Sequence, residues 1–100
     1  MGQDDRELRR HALRFLKSAP EGEQNSRILY MELLDYGHRI TWREFDQMVL
    51  YLERAECVTV RYVRPEIDRT RILRLTQRGL DVVEGTVQNP GIMPPAQAEI

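Results

Sequence analysis

The feature that most constrains the fold is a change of hydrophobic period at Val58. Before it, apolar residues recur at helical spacing in three segments, over about 5–17, 27–36 and 41–55. From Val58 the period is two, with Val58, Val60 and Tyr62 alternating with Thr59, Arg61 and Val63, which is typical of a half-buried strand; 71–75 is predicted as a second strand. A last helix is predicted over about 77–84, closed by Gly85. The sequence therefore predicts an α+β fold, with a three-helix core followed by a β-hairpin and a C-terminal helix.

Capping residues support these boundaries. Thr41 precedes the third helical segment, and Glu44 three residues later completes the pattern of a capping box. Thr76 is the predicted cap of the last helix, and Asn25 or Ser26 that of the second. The third helix is predicted to bury one apolar face, formed by Phe45, Met48, Val49 and Leu52.

Length and composition indicate one globular domain. The chain has 100 residues, of which 41% are hydrophobic and 31% charged, which suits one core and not two. We expect the domain over residues 4–85 and a flexible tail over 86–100, which carries Pro90, Pro94 and Pro95 and has no sustained period. No apolar stretch approaches the roughly 18 residues that span a bilayer, and the polar N-terminus is unlike a secretion signal. The expected location is the cytoplasm, with no membrane partner.

The residues that carry chemistry argue against an enzyme or a metal protein. Cys57 is the single cysteine, and neither His11 nor His38 lies at a metal-binding spacing from it or from the other histidine. His38 is predicted as a solvated loop histidine and Cys57 as a small buried hydrophobic residue. The sequence has no phosphate-binding glycine loop, nucleophile motif or paired catalytic carboxylates. We therefore expect no catalysis, no cofactor and no metal.

The charge of the chain is concentrated in one segment. The formal net charge is −1, yet residues 58–80 hold six arginines against Glu66 and Asp68, a local net charge of +4. Lys17 is the single lysine, and a guanidinium suits phosphate oxygens and guanine edges better than an ammonium does. A G+C-rich coding bias explains the preference for arginine equally well, but it does not explain the clustering.

The order of elements resembles a winged helix-turn-helix domain over residues 4–85. Residues 75–79, Leu-Thr-Gln-Arg-Gly, are similar to the Leu-Thr-x-x-Gly phrase that follows the wing in bacterial regulators of this superfamily. Residues 52–58 resemble their Leu-x-x-x-Gly-Leu-Val exit from the recognition helix, with Glu56 in place of the glycine. A left-handed Glu56 carries a strain of about 1 kcal/mol, unless the turn is built differently. The whole resembles small single-domain proteins of bacteria and their phages.

The resemblance implies a DNA-binding surface formed by the third helix and the hairpin. The helix enters the major groove, while the hairpin contacts the backbone or the minor groove of double-stranded DNA. The implied contacts are Thr41, Trp42, Arg43, Gln47, Arg61, Arg64, Arg69 and Arg71. The first two lie near phosphate, the next two read base edges, and the four arginines bind phosphate or the minor groove. For Trp42, packing of the preceding turn onto the core is the favoured alternative.

Two functions follow from this resemblance. The leading hypothesis is a sequence-specific DNA-binding regulator of transcription that acts as a homodimer. The alternative is a winged-helix adaptor or phage assembly factor that binds protein and not DNA. It is favoured by acidic residues on or beside the third helix, namely Glu44, Asp46, Glu53 and Glu56, and by apolar residues outside the core faces, namely Tyr30, Met31, Leu50 and Tyr51. DNA binding needs the third helix and the hairpin to form one positive or neutral face, whereas an acidic groove beside an apolar patch favours a protein partner.

Overall fold

The computed structural model describes residues 5–63 and 70–95. In these two ranges the chain is an α+β protein with four α-helices and one three-stranded antiparallel sheet. The helices are α1 (Asp5–Ser18), α2 (Ser26–Asp35), α3 (Trp42–Arg54) and α4 (Gln77–Glu84). The strands are β1 (Glu23–Asn25), β2 (Val58–Tyr62) and β3 (Arg71–Leu75), and a short 3-10 turn, Pro20–Gly22, precedes β1. The predicted α+β class and the order of the predicted helices and strands are confirmed.

The sheet has the strand order β1-β3-β2, so β3 is central. The hairpin predicted for β2 and β3 is confirmed, in a register that runs from Val58 opposite Leu75 to Tyr62 opposite Arg71. Strand β1, which was not predicted, pairs with the other side of β3, where Gln24 lies opposite Leu73. Its three polar residues show no alternation of their own, and they are extended because β3 offers an unpaired edge.

The core lies between the helices and one face of the sheet. The apolar face predicted for α3 is confirmed, because Phe45, Met48, Val49 and Leu52 are all buried. They pack with side chains from the other helices and the central strand, including Leu13, Leu16, Leu29, Leu33 and Leu73. The caps predicted at Asn25, Thr41 and Thr76 each accept a hydrogen bond from a main-chain amide of the helix that follows.

The turn that leaves α3 is left-handed although it contains no glycine. Glu56 is left-handed, with φ at 63°. Its amide donates to the carbonyl of Glu53 at 3.0 Å, and the amide of Cys57 donates to that of Leu52 at 2.9 Å, which is a Schellman motif. A Cβ on Gly79 of α4 would stand 2.1 Å from the Cys57 carbonyl oxygen. The glycine of the Leu-Thr-x-x-Gly phrase therefore lets α4 pack directly on this turn.

Residues 86–95 are packed on the domain, so the prediction of a flexible tail is wrong over this range. Ile92 is only 2% exposed. The amide of Met93 donates to the carbonyl of Arg6 at 3.1 Å, and the Tyr51 hydroxyl donates to Asn89 at 2.7 Å. One apolar anchor and hydrogen bonds to α1 and α3 fix this segment, although its sequence has no period. Over the described ranges, every helix is too short or too polar to span a bilayer.

Candidate binding groove

A groove lies between α3 and the β2–β3 hairpin, with a volume of about 740 Å³. From α3 it is lined by Trp42, Asp46, Val49, Leu50 and Glu53, and from β2 by Val60 and Tyr62. The lining is completed by Ser26 and Arg27 at the start of α2, by Thr70 just before β3 and by Arg71, the first residue of β3. Since Trp42, Asp46 and Leu50 recur every four residues, one side of α3 faces the groove along its length.

The walls of the groove expose large apolar side chains. Trp42 and Leu50 are each 44% exposed, and Tyr62 is 54% exposed. The side chains of Val60 and Tyr62 point to the same face of the sheet because they alternate with Arg61. Exposed apolar residues that gather in a concavity are typical of a binding surface.

Trp42 contributes to the core and to the groove. Its ring stacks on Tyr30 with centroids 4.0 Å apart and meets the edge of Phe45 at 5.3 Å. The Tyr30 hydroxyl donates to the carbonyl of Ile40 at 2.8 Å, so the stack fastens the turn before α3 to α2. The favoured interpretation, in which Trp42 packs this turn onto the core, is confirmed.

The hydroxyl and the main-chain amide of Thr41 both form hydrogen bonds within the capping box. Its hydroxyl accepts from the Glu44 amide at 3.1 Å, and its amide donates to the Glu44 carboxylate at 2.8 Å. The start of α3 therefore already holds a carboxylate, the kind of anion that a helix N-terminus attracts. A DNA phosphate at this position would meet that negative charge.

Arg71 differs most from its predicted place. The sequence predicts an exposed cation of the hairpin, but the side chain is buried and its Nη2 lies 2.6 Å from the carboxylate of Asp46. The guanidinium lies over the ring of Phe45, and the main-chain amide donates to Ser26 at 3.0 Å. Arg71 therefore ties the hairpin to α2 and α3, and its charge is already neutralised by an intramolecular ion pair.

The remaining predicted contacts do not converge on the groove. Arg43 and Gln47 are exposed on α3 and lie outside the groove lining. Arg61 is exposed on β2 and points to the sheet face opposite Val60 and Tyr62. Arg64 and Arg69 lie outside the described residues. Of the predicted contacts that the structure describes, Trp42 and Arg71 line the groove.

The apolar residues outside the core faces have two different environments. Tyr30 is half-buried in the Trp42 stack, and Tyr51 is half-buried beneath Arg9, whose guanidinium lies 3.8 Å from the ring centroid. Leu50 and Met31 stay exposed. The two tyrosines therefore pack against neighbouring elements, while Leu50 is exposed in the groove.

His11 and His38 form a buried pair that the sequence does not predict. The Nδ1 of His11 lies 2.7 Å from the Nε2 of His38, and the residues are 7% and 4% exposed. The prediction of a solvated His38 is wrong, because the turn after α2 folds it against α1 and the ring of Tyr36. Burial lowers the pKa of both histidines, and the charge of His38 lowers that of His11 further.

Outside the groove, the side chains with the most reactive chemistry are one buried thiol and two buried imidazoles. Cys57 is buried as predicted, and burial raises the pKa of its thiol, which disfavours the nucleophilic thiolate. Among residues 5–63 and 70–95, His, Cys, Asp and Glu side chains form no cluster of three or more that would hold a metal ion.

Comparison with known proteins gives no match to a family model, to a curated protein or to a solved structure. The groove and its charges are the basis for the function proposed for the chain.

Proposed function

We propose that the chain is a winged-helix domain that binds protein, and that its groove takes an apolar segment of a partner. The order of helices and strands, with β1 paired to β3, is compatible with a winged helix whose wing is the β2–β3 hairpin. The observation that carries the proposal is the character of the surface between α3 and this wing. Apolar side chains of α3 and β2 are exposed in it, and its buried cation, Arg71, is already paired with Asp46.

The charges of the groove favour a protein over DNA. Its lining carries Arg27 and Arg71 against Asp46 and Glu53, so the formal charges cancel. DNA affinity comes largely from cations that replace the counterions of phosphate, and a neutral groove offers no such gain. The exposed parts of Trp42, Leu50 and Tyr62 gain free energy when a partner removes them from water, at about 25 cal/mol per Å² of apolar surface.

The test is selection of displayed random dodecapeptides against the purified protein, repeated with two variants of α3. Leu50→Arg puts a charge into the groove, and Gln47→Arg puts the same charge on an exposed side of α3 outside the groove lining. We expect the wild type and Gln47→Arg to enrich the same peptides, and Leu50→Arg to lose them. Failure to enrich any peptide, or equal binding by both variants, contradicts the proposal. Since both variants add positive charge, DNA binding would instead be strengthened by either one.

A second candidate is the DNA-binding regulator, favoured by the exposure of Arg43, Gln47 and Arg61. These side chains form no hydrogen bond or ion pair with another described residue. In this alternative a homodimer places Arg43 and Gln47 against base edges and Arg61 against phosphate. The test is a salt titration of binding to duplex DNA. The titration is repeated with Arg43→Ala, Gln47→Ala and Arg61→Ala. All three variants are expected to bind DNA more weakly, and the two arginine variants are expected to show a weaker dependence of binding on salt.

A further inference from the structure

Strand β2 is a free edge of the sheet. In the strand order β1-β3-β2 it pairs with β3 on one side and with none of the other described strands. An unpaired strand edge presents main-chain donors and acceptors that a further strand can satisfy. The groove opens beside this edge, because Val60 and Tyr62 belong to both.

The register of the hairpin shows which main-chain groups point outward. The amide of Thr76 donates to the carbonyl of Cys57 at 3.0 Å, and that of Val63 to the carbonyl of Thr70 at 3.5 Å. In an antiparallel pair, alternate residues turn their main-chain groups to the partner strand. From Cys57 to Val63, the odd-numbered residues therefore face β3 and the even-numbered ones face away.

Val60 and Tyr62 consequently combine two features. Their amides and carbonyls face the free edge, away from β3, and pair with no other strand in the described part of the chain. Their side chains line the groove. A segment that is extended, and not helical, satisfies both features at once, since its main chain pairs with β2 while alternate side chains enter the groove.

We propose that the partner segment binds by adding a strand to the free edge of β2. This rests on the proposed function and specifies the occupant: an extended segment of another protein with apolar residues at alternate positions. A basic residue is expected where the segment passes Glu53, which is exposed, lines the groove and has no ion pair with another described residue. Leu50 and Tyr62 receive the apolar side chains, and the outward groups of Val60 and Tyr62 pair with the segment's main chain.

The experiment scans the selected peptides with N-methyl groups, which remove one main-chain donor at a time and leave the protein unchanged. Strand addition predicts a period of two: methylation weakens binding roughly tenfold at alternate positions and has little effect between them. A uniform response or a period near three to four contradicts strand addition, while binding that still depends on Leu50 leaves the proposed function standing. Failure to select any peptide overturns both.

A protein variant provides a second measurement. Val60→Pro removes an outward amide that does not bond to β3, so the sheet should persist, whereas Arg61→Pro removes a donor of the ladder. We expect Val60→Pro to keep a cooperative unfolding transition and to bind the peptides roughly tenfold more weakly. If Val60→Pro unfolds, added amide protection of Val60 and Tyr62 on peptide binding to the wild type replaces this measurement.

Self-association of the chain would contradict the proposal that the bound segment comes from another protein. If the wild type sediments as a dimer that selected peptides dissociate, a second copy of the chain occupies the edge. A monomer in which bound peptide slows exchange of the Val60 and Tyr62 amides, but not of Thr59 and Arg61, supports a foreign segment.

Discussion

The two ends of the interface between α3 and the sheet are packed to different degrees. At the closed end, formed by Leu52, Cys57, Leu73 and Gly79, the first three residues have no exposed surface, and α4 lies against the main chain of the turn. At the open end, formed by Trp42, Leu50, Tyr62 and Arg71, the three apolar residues keep close to half of their surface exposed.

The difference shows which end of this interface keeps apolar surface available for a partner. The closed end has already used its apolar surface, because main chain approaches main chain there and leaves no room for a ligand. The open end is held instead by the Asp46–Arg71 pair, which fixes the hairpin without covering its apolar walls. Binding is therefore expected at the open end, and substitutions at the two ends should have separable effects.

Gly79→Ala tests the closed end and should have the largest effect. The added Cβ would stand 2.1 Å from the Cys57 carbonyl oxygen, which belongs to the main chain, so α4 must move. We expect a loss of about 3 kcal/mol in the free energy of unfolding, measured by urea denaturation. Arg78→Ala, at the preceding exposed position, should change it by less than about 0.5 kcal/mol. Equal stability of both variants would mean that the closed end is loosely packed.

Arg71→Ala tests the open end. Removing a buried guanidinium leaves Asp46 without its partner and Phe45 without cover, so we expect a loss of about 2 kcal/mol in the free energy of unfolding. Arg61→Ala, an exposed arginine on the neighbouring strand, should cost less than about 0.5 kcal/mol. The assay is again urea denaturation.

The same pair of variants separates a structural arginine from a DNA ligand. If Arg71 binds phosphate, Arg71→Ala and Arg61→Ala should weaken DNA binding alike and leave stability unchanged. That outcome would contradict the structural role assigned to Arg71.

Much of the fold follows from local signals in the sequence. The helical period, the capping box at Thr41 and the alternation from Val58 give the fold class and most element boundaries, since each depends on residues close in the chain. Strand β1 and the packing of Ile92 were missed because they depend on distant partners, namely β3 and α1. Glu56 adopts a left-handed conformation although its residue type disfavours it.

The site was harder to predict for the same reason. Spacing along α3 gives the side of the helix that leaves the core, but not which part of that side the hairpin covers. The ion pair of Arg71 joins residues 25 positions apart in the chain, and no local pattern indicates it. Leu50, outside the core stripe, and the acidic Asp46 and Glu53 were the local signals on α3 that pointed to a protein-binding groove.

A pH series tests a buried site that belongs to neither end. Because burial lowers the pKa of His11 and His38 in the folded protein, the unfolded chain takes up protons first as the pH falls. The free energy of unfolding should therefore be unaffected by these histidines above about pH 6.5 and should decrease as the pH falls below that value. Glu7 opposes this shift at both rings, while Arg14 and Arg10 reinforce it at His11. Urea denaturation at several pH values measures the decrease. A variant with glutamine in place of both His11 and His38 should not show it. If the free energy of unfolding of that variant falls with pH as steeply as that of the wild type, other groups cause the decrease.

Glu56→Gly should have the smallest effect, of opposite sign to the other substitutions at the closed end. Its φ of 63° suits glycine, so removing the side chain should raise the free energy of unfolding by about 1 kcal/mol. Glu53→Gly, three residues earlier and inside α3, should lower it by about 1 kcal/mol because glycine is a poor helix former. Thermal unfolding of the two variants measures both signs. If both variants are destabilised, the left-handed turn is not the source of strain, and the closed end owes its geometry to the packing of α4 alone.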